Sequence, residues 1–179
     1  MSKALRIEPV TPINIGDFEA LFDARGEPKG CWCMAWRKPL DGAPCKTSAA
    51  KKQAIMAYIK QDIPVGLLAY NDETPIAWCA LAPRESFRKL GGVEDGQNTW
   101  SIACFYVQRT QRGQGVAKAL LQAAINYARA QGAAVLEAYP VAPDSPSYRF
   151  MGFKPRFEKA GFSGAGMAGT RRNVMRLAL

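Results

Sequence analysis

The sequence predicts a mixed α/β (α+β) fold, and three observations predict it. The stretch TWSIACFYV, from Thr99 to Val107, is apolar on both of its alternating sets, Trp100/Ile102/Cys104/Tyr106 and Ala103/Phe105/Val107, which suits a central strand covered on both faces. From Val116 to Ala130 apolar residues recur at helical spacing, at Ala117, Leu120, Leu121, Ala124, Ile125 and Ala128. With the strand-like AAVLEAYPV beyond it, this helix makes one β–α–β unit between Trp100 and Val141. Finally, VGLLAY and IAWCALAP, joined by the turn NDETP, read as an antiparallel hairpin.

The remaining elements follow in order. LRIEPV reads as a first strand, and NIGDFEALFDARG as a short helix capped by Asn14 and stopped by Gly26. After a Pro/Gly-rich connection, TSAAKKQAIMAYIKQ reads as a helix with Thr47 or Ser48 as N-cap and Ala54, Ile55, Tyr58 and Ile59 on the face that packs on the sheet. The polar loop GGVEDGQN precedes the central strand, and Gly132 ends the long helix. A Pro/Ser-rich loop then leads to KPRFEKAGF, a short helix stopped at Gly161, and NVMRLAL is the last strand. No repeat, linker or second domain interrupts residues 1–179, so a single domain is expected.

At 48% hydrophobic and 22% charged residues the composition is that of an ordinary soluble protein. The longest apolar runs are strand-sized and MSKALRIEPV lacks a signal peptide's apolar stretch, so a cytoplasmic, non-membrane protein is expected. Five cysteines, an odd number, argue against a disulfide framework and for reduced thiols. The net charge of +9 is unevenly spread: residues 1–95 carry 13 Lys and Arg against 12 Asp and Glu, residues 96–179 carry 11 against 3. No acidic residue occurs between Asp95 and Glu137, a span that includes Arg109, Arg112, Lys118 and Arg129, which points to an anionic ligand.

The loop VQRTQRGQGVAKAL carries the most specific signal. Gly113 and Gly115 let the backbone approach a ligand, and the free N–H groups at the helix start favour an anion. Helix starts ordinarily favour Asp or Glu, yet Arg109, Arg112 and Lys118 surround this one, so the site is left for an external negative charge such as phosphate. The third glycine of a dinucleotide loop is replaced by Lys118, and the Walker pattern is absent. In CWCMAWR, Cys31 to Arg37, C-x-C is too short for a structural zinc site and no histidine is available, so no metal is expected; the C-x-x-C of dithiol enzymes is absent as well.

Arg112-Gly113-Gln114-Gly115-Val116-Ala117 matches the pattern [RQ]-x-x-G-x-[GA] after a strand ending in Val107, and FEKAGF, Phe157 to Phe162, matches an aromatic-x-x-x-G-F signature of a last helix. Through these residues the chain resembles the GNAT superfamily of acyl-CoA-dependent N-acyltransferases. Through CWCM.WR, AWC..AP, W.I.CF.V and AYPV it resembles a bacterial subgroup of that superfamily. The resemblance implies a GNAT fold, a mostly antiparallel central sheet flanked by helices on both faces. It implies acetyl-CoA in a V-shaped gap between the strand ending at Val107 and the one containing Glu137. Phe105, Tyr106 and Val107 would meet the pantetheine and acetyl region, and Arg112, Gly113, Gln114, Gly115, Val116, Ala117 and Lys118 the pyrophosphate. The implied reaction is acetyl transfer to a primary amine of a small molecule or peptide, by direct attack in a ternary complex. Acetylation of aminoacyl-tRNA or of a protein amine, and a non-catalytic CoA-binding or sensor module, stay open alternatives, as do monomer and homodimer.

Such a transfer needs a neutral amine, donors for the oxyanion and a proton for the leaving thiolate. Without histidine the base must be another group. Glu137, in an otherwise apolar strand where burial raises a carboxyl pKa, is the candidate, against a rim carboxylate paired with lysine or arginine. The family's tyrosine acid would stand at Phe157, which has no proton to give, so Tyr148, before the last helix, is taken over Tyr139 and Tyr106. Cys104, beside the implied thioester site, reads as a covalent nucleophile or a small buried residue. CWCMAWR would lie on the acceptor side: Trp32, Trp36 and, from the hairpin, Trp78 as aromatic walls, Arg37 as a carboxylate anchor, and the thiols as packing; ordinary core is the alternative for the tryptophans.

Overall fold

The computed structural model describes residues 5–24 and 30–179. Its strands are β1 (Arg6–Pro9), β2 (Gly66–Asn71), β3 (Thr74–Pro83), β4 (Thr99–Val107), β5 (Val135–Ala138), β6 (Ser163–Ala168) and β7 (Arg172–Ala178). Its helices are α1 (Ile15–Asp23), α2 (Ser48–Lys60), α3 (Val116–Ala130) and α4 (Lys154–Lys159). The strands form one sheet in the order β1-β2-β3-β4-β5-β7-β6. Only β4 and β5 are parallel, joined through α3; the other neighbours are antiparallel. Two apolar layers sandwich the sheet. Phe18 and Phe22 of α1 and Ile55 and Ile59 of α2 pack with Leu68 and Trp78 on one face, and Leu120, Ala124 and Ile125 of α3 with Phe157 of α4 pack with Leu67 and Cys79 on the other. Helices thus cover both faces, as the sequence leads one to expect.

Local chemistry explains most element boundaries. Thr47 Oγ1 accepts the Ala50 amide at 3.1 Å, a cap that stabilises α2 by about 1 kcal/mol. Asn14 stands at the start of α1 but its side chain faces backwards, accepting from the Thr11 amide and donating to the Pro9 carbonyl, so it ties β1 to α1 and does not cap. The predicted stop at Gly26 lies outside the described residues. The hairpin is tighter than predicted: Asn71 pairs with Thr74, leaving only Asp72 and Glu73 in the turn. β6 was not expected. SGAGMA is built of small residues with no apolar alternation, and it becomes a strand because β7 offers it an edge to pair with.

Two irregularities create the working part of the fold. Leu81 of β3 pairs with Ile102 and Ala80 with Cys104, so Ala103 is an extra residue, a β-bulge in the central strand. It shifts the side-chain alternation. Trp100 and Ile102 pack with Phe105 and Val107 on the α3 face, while Ala103, Cys104 and Tyr106 pack on the α1 face, so the two expected sets of β4 are each split at the bulge. In addition, β5 pairs with β4 only from Thr99 to Ile102 and then diverges, leaving one edge of residues 103–107 unpaired. A V-shaped gap opens there.

Glu137 closes the narrow end of that gap. It is fully buried; Tyr139 Oη donates to Oε1 at 2.7 Å, the Val93 amide donates to Oε2 at 3.1 Å, and Arg84 Nη1 and Arg176 Nε lie 3.4 and 3.2 Å away. Burial pushes the Tyr139 phenol up, and the Glu137 charge adds to that, so Tyr139 stays protonated and donates. Gly92 fits only because it lacks Cβ, which would sit 1.6 Å from Glu137 Oε1. The expectation of Glu137 as general base is therefore corrected: its oxygens are engaged by partners from three segments, and it lines none of the cavities described below. The carboxylate pins the 84–95 loop and β7 to β5. Glu137→Ala leaves two arginines without their buried counter-charge and is expected to lower unfolding free energy by about 3–5 kcal/mol, read by urea denaturation.

Candidate active site

The gap between β4 and the segment after β5 is lined on one side by Phe105, Tyr106 and Val107 and on the other by Arg149, Phe150, Gly152 and Phe153, around a cavity of about 700 Å3. The loop from Arg112 to Lys118 closes its end. Gly113 and Gly115 stand at φ +77° and +81°, left-handed conformations that L side chains rarely adopt, and a Cβ on either would meet nothing within 4 Å. Their open faces form a cradle. Among the described residues no protein acceptor takes the amides of residues 113–118, and no side chain caps α3. Arg112 Nε donates to the Val107 carbonyl at 3.0 Å and Gln114 Nε2 to the Thr110 carbonyl at 3.0 Å, which braces the loop. A second groove of about 840 Å3, between α3 and α4, continues the first through Gly115, Lys118, Phe153 and Arg156 and adds Lys159. Among the described residues no acidic side chain lines either cavity.

Across the bulge, on the α1 face, lies an apolar cavity of about 200 Å3. Phe22, Trp36, Phe87 and Phe150 give it aromatic walls, and Cys31, Cys33 and Cys104 place three thiols on it. It shares Phe105, Tyr106 and Phe150 with the larger cavity, so the two spaces meet at the splayed end of β4. Among the described residues Tyr106 is the only hydroxyl-bearing side chain that lines both.

The floor of the apolar cavity is built by CWCMAWR. Trp32 and Cys33 are consecutive residues with φ of +47° and +53°, a conformation costing about 1–3 kcal/mol at each non-glycine position. Trp78 Nε1 donates to Cys33 Sγ at 3.2 Å, and Cys33 and Cys104 line the same cavity. Behind them Arg37 is fully buried. Its Nη2 donates to the Val65 carbonyl at 2.7 Å, its guanidinium lies 4.2 Å from the Phe87 ring centroid, and its Nε and Nη1 have no hydrogen-bond partner. Trp36 and Arg37 offer their carbonyls to Arg88, so the segment is fastened to the loop that Glu137 holds.

Of the residues expected at the donor site, Phe105, Tyr106, Val107, Arg112, Gly113, Gly115, Val116, Ala117 and Lys118 all line the gap, while Gln114 only braces the loop. Arg109 lies in a 3-10 turn and lines neither groove; Arg149, Arg156 and Lys159 supply positive charge that spacing along the chain did not reveal. The acceptor side needs more correction. Trp36 lines the apolar cavity, whereas Trp32 is buried against Phe22 and donates to Ser48, Trp78 is buried behind Cys33, and Arg37 lies beneath the cavity with no route to a ligand carboxylate. Tyr148 stands outside on an exposed loop, its ring 5.5 Å from the Arg172 guanidinium, and lines neither cavity. Cys31 and Cys33, expected as packing, and Cys104, read as a covalent nucleophile or a small buried residue, all line the cavity, which the turn at Trp32–Cys33 and the bulge at Ala103 help to shape. Phe157, in the family's tyrosine position, is a buried anchor against Phe105 and Phe162. Among the described residues no group of His, Cys, Asp or Glu is placed to hold a metal ion, and no helix is long and apolar enough to cross a membrane.

The sequence profile of the "Acetyltransferase (GNAT) family" matches residues 33–153. No curated protein matches the chain in sequence. Solved structures similar in fold include the PaiA N-acetyltransferase of Thermoplasma acidophilum in complex with coenzyme A, with 14% identity, a TM-score of 0.59 and coverage of 99% of this chain and 100% of that one. The GNAT domain of S. lividans PAT shares 18% identity at a TM-score of 0.62, covering 98% and 90%. A GNAT-family acetyltransferase structure from Desulfovibrio desulfuricans shares 17% at a TM-score of 0.56, covering 98% and 99%. The glycine cradle, the unpaired amides at the start of α3 and the acid-free basic groove fit the diphosphate of acetyl-CoA, the acyl donor of this family. On its profile over two thirds of its length, the chain belongs to the GNAT acetyltransferase family.

Proposed function

We propose that this protein transfers the acetyl group of acetyl-CoA to a primary amine borne on a small apolar molecule or on the apolar end of a peptide. One observation carries the reading: a basic, glycine-lined groove and an apolar aromatic cavity meet end to end at Phe105, Tyr106 and Phe150. Amides of residues 113–118 would hold the diphosphate, and Lys118, Arg156 and Lys159 would neutralise the outer phosphates. The donor supplies an activated thioester carbonyl.

The chain's own residues account for the rest. Among the described residues no charged side chain lines the apolar cavity, so an amine entering it loses water; desolvation disfavours the ammonium form and raises the share of neutral nucleophile without a histidine. The Tyr106 hydroxyl is the proton source for the leaving thiolate, replacing Tyr148 in that role. A cavity of about 200 Å3 suits one side-chain-sized group. Among the described residues its lining offers no cation to phosphate, which favours a small or peptidic acceptor over aminoacyl-tRNA.

Free-thiol release across a panel of apolar amines, polar amines, peptides and aminoacyl-tRNA tests this reading. Turnover is expected with apolar primary amines; coenzyme A binding with no turnover of any acceptor would favour the sensor module. Gly113→Val and Gly115→Val force strained φ values and fill the cradle, and each is expected to abolish the thermal stabilisation by acetyl-CoA seen with the parent protein. Tyr106→Phe is expected to lower kcat by about 100-fold with little change in coenzyme A affinity; an unchanged kcat would remove Tyr106 as acid.

A further inference from the structure

We infer that Cys33 is a covalent acyl acceptor: lining the apolar cavity with its sulfur hydrogen-bonded by the Trp78 indole, it takes the acetyl group from acetyl-CoA and passes it to the amine. The first step rests on the family's donor; the second rests on the amine reading above.

The argument begins with Arg37. A fully buried guanidinium with only one hydrogen bond, to the Val65 carbonyl, carries an uncompensated charge that normally costs several kcal/mol. No Asp or Glu pairs with it among the described residues, and the groups whose negative forms its charge meets are Cys33, Tyr58 and Cys104. Tyr58 is ruled out as the anion, since its hydroxyl donates to the Lys38 carbonyl at 2.7 Å. Of the neighbouring thiols Cys33 and Cys104, it is Cys33 whose sulfur accepts the Trp78 indole N–H, at 3.2 Å, a contact that stabilises the charge on Cys33. Cys31 and Cys79, the other thiols in the field of Cys33, are both pushed up by burial. Cys33 is left to hold the charge.

The hydrogen bonds around Cys33 agree. An indole N–H can only donate, so at 3.2 Å from Trp78 Nε1 the Cys33 sulfur is an acceptor. The neighbouring Cys104 thiol lowers the Cys33 pKa most; the Arg37 charge and the Trp78 hydrogen bond add to it, and burial opposes them. A thiol that merely filled space would not require two successive left-handed residues; Trp32 and Cys33 store that strain in order to turn this sulfur towards the cavity.

Position and reactivity complete the case. Cys33 lines the apolar cavity at the level of Cys104, next in sequence to Phe105, where the donor groove opens into it. A thiolate of near-neutral pKa combines a high ionised fraction with high nucleophilicity. In the first step Cys33 Sγ forms a bond to the thioester carbonyl carbon, and the bond from that carbon to the coenzyme sulfur breaks. Its electron pair leaves with that sulfur, which takes up one proton. In the second, a neutral amine attacks acetyl-Cys33, the C–N bond forms, the C–S bond breaks, its electron pair returns to Cys33 as thiolate, and the amine's surplus proton passes to water. The sum is one amide and one free coenzyme A thiol from one amine and one thioester. Two successive transfers replace the direct attack expected from the sequence.

The test incubates the full chain with acetyl-CoA and a phosphine reductant, without amine, then quenches in acid. The expected result is one acetyl group per protein by intact mass, one equivalent of coenzyme A released, and the adduct on the Cys33 peptide, removable by hydroxylamine. Cys33→Ala should carry none, and Cys45→Ser, remote from the cavity, should be labelled like the parent. Absence of the adduct from the parent overturns the inference whichever way the amine panel falls. An adduct without turnover of any amine keeps the first step and sinks the amine reading. A readout on the free protein guards against misfolding: iodoacetamide should alkylate Cys33 with a pH midpoint below the ~8.5 of free cysteine, and Trp78→Phe should raise that midpoint by about one unit. A midpoint at or above that of free cysteine in the parent would likewise overturn it.

Discussion

The bulge at Ala103 is the constraint on which the rest of the molecule depends. An ordinary strand repeats every two residues, so Cys104 and Tyr106 would share a face with Trp100 and Ile102 and be buried against α3. One extra residue reverses the phase. It sends Cys104 and Tyr106 to the α1 side while Phe105 and Val107 join the α3 side, and it does so where β5 stops pairing with β4. Twist and bend from the bulge help the parallel neighbours part, and the unpaired edge of residues 103–107 becomes a wall open to ligand.

A gap in a sheet needs something to hold its narrow end shut, and Glu137 does so through charge. The carboxylate draws Arg84, Val93, Tyr139 and Arg176 onto one point. Arg176 also pairs with Asp95 at 2.7 Å, so the far end of the 84–95 loop is fastened as well. That loop carries Phe87 into the acceptor cavity and grips Trp36 and Arg37 through Arg88. Order passes from a buried ion cluster, through a loop without regular structure, to the strained turn that presents Cys33.

Features of one period or one backbone requirement were legible in the chain. The 3.6-residue repeat marked α3 to the residue, and the glycine pair marked the cradle, because only glycine takes φ near +80° at no cost. What depended on partners distant in sequence was not legible. The bulge leaves no mark in TWSIACFYV, whose alternation is apolar on both sets in either phase. β6 has no signal of its own, since its pairing is supplied by β7. Glu137 in VLEA looked like a carboxylate in search of a role because its arginines lie 53 and 39 positions away. The four tryptophan and arginine candidates of the acceptor side were chosen by residue type, and burial sorted them: Trp36 to the cavity, Trp32, Trp78 and Arg37 behind it. The cysteines were undervalued for the converse reason, since a small apolar thiol is usually packing.

The sheet separates two tasks. The basic, glycine-lined grooves belong to the α3–α4 side and the apolar cavity mainly to the α1 side, which under the proposed function parts donor from acceptor. Phe22, Trp36 and Phe87 meet Lys118 and Arg156 only through the shared wall of Phe105, Tyr106 and Phe150, so changes at the two ends couple weakly. Such a scaffold can drift in what it acylates while its grip on the shared metabolic donor stays constant. The size and lining of one apolar cavity set the range over which descendants of this chain can diversify.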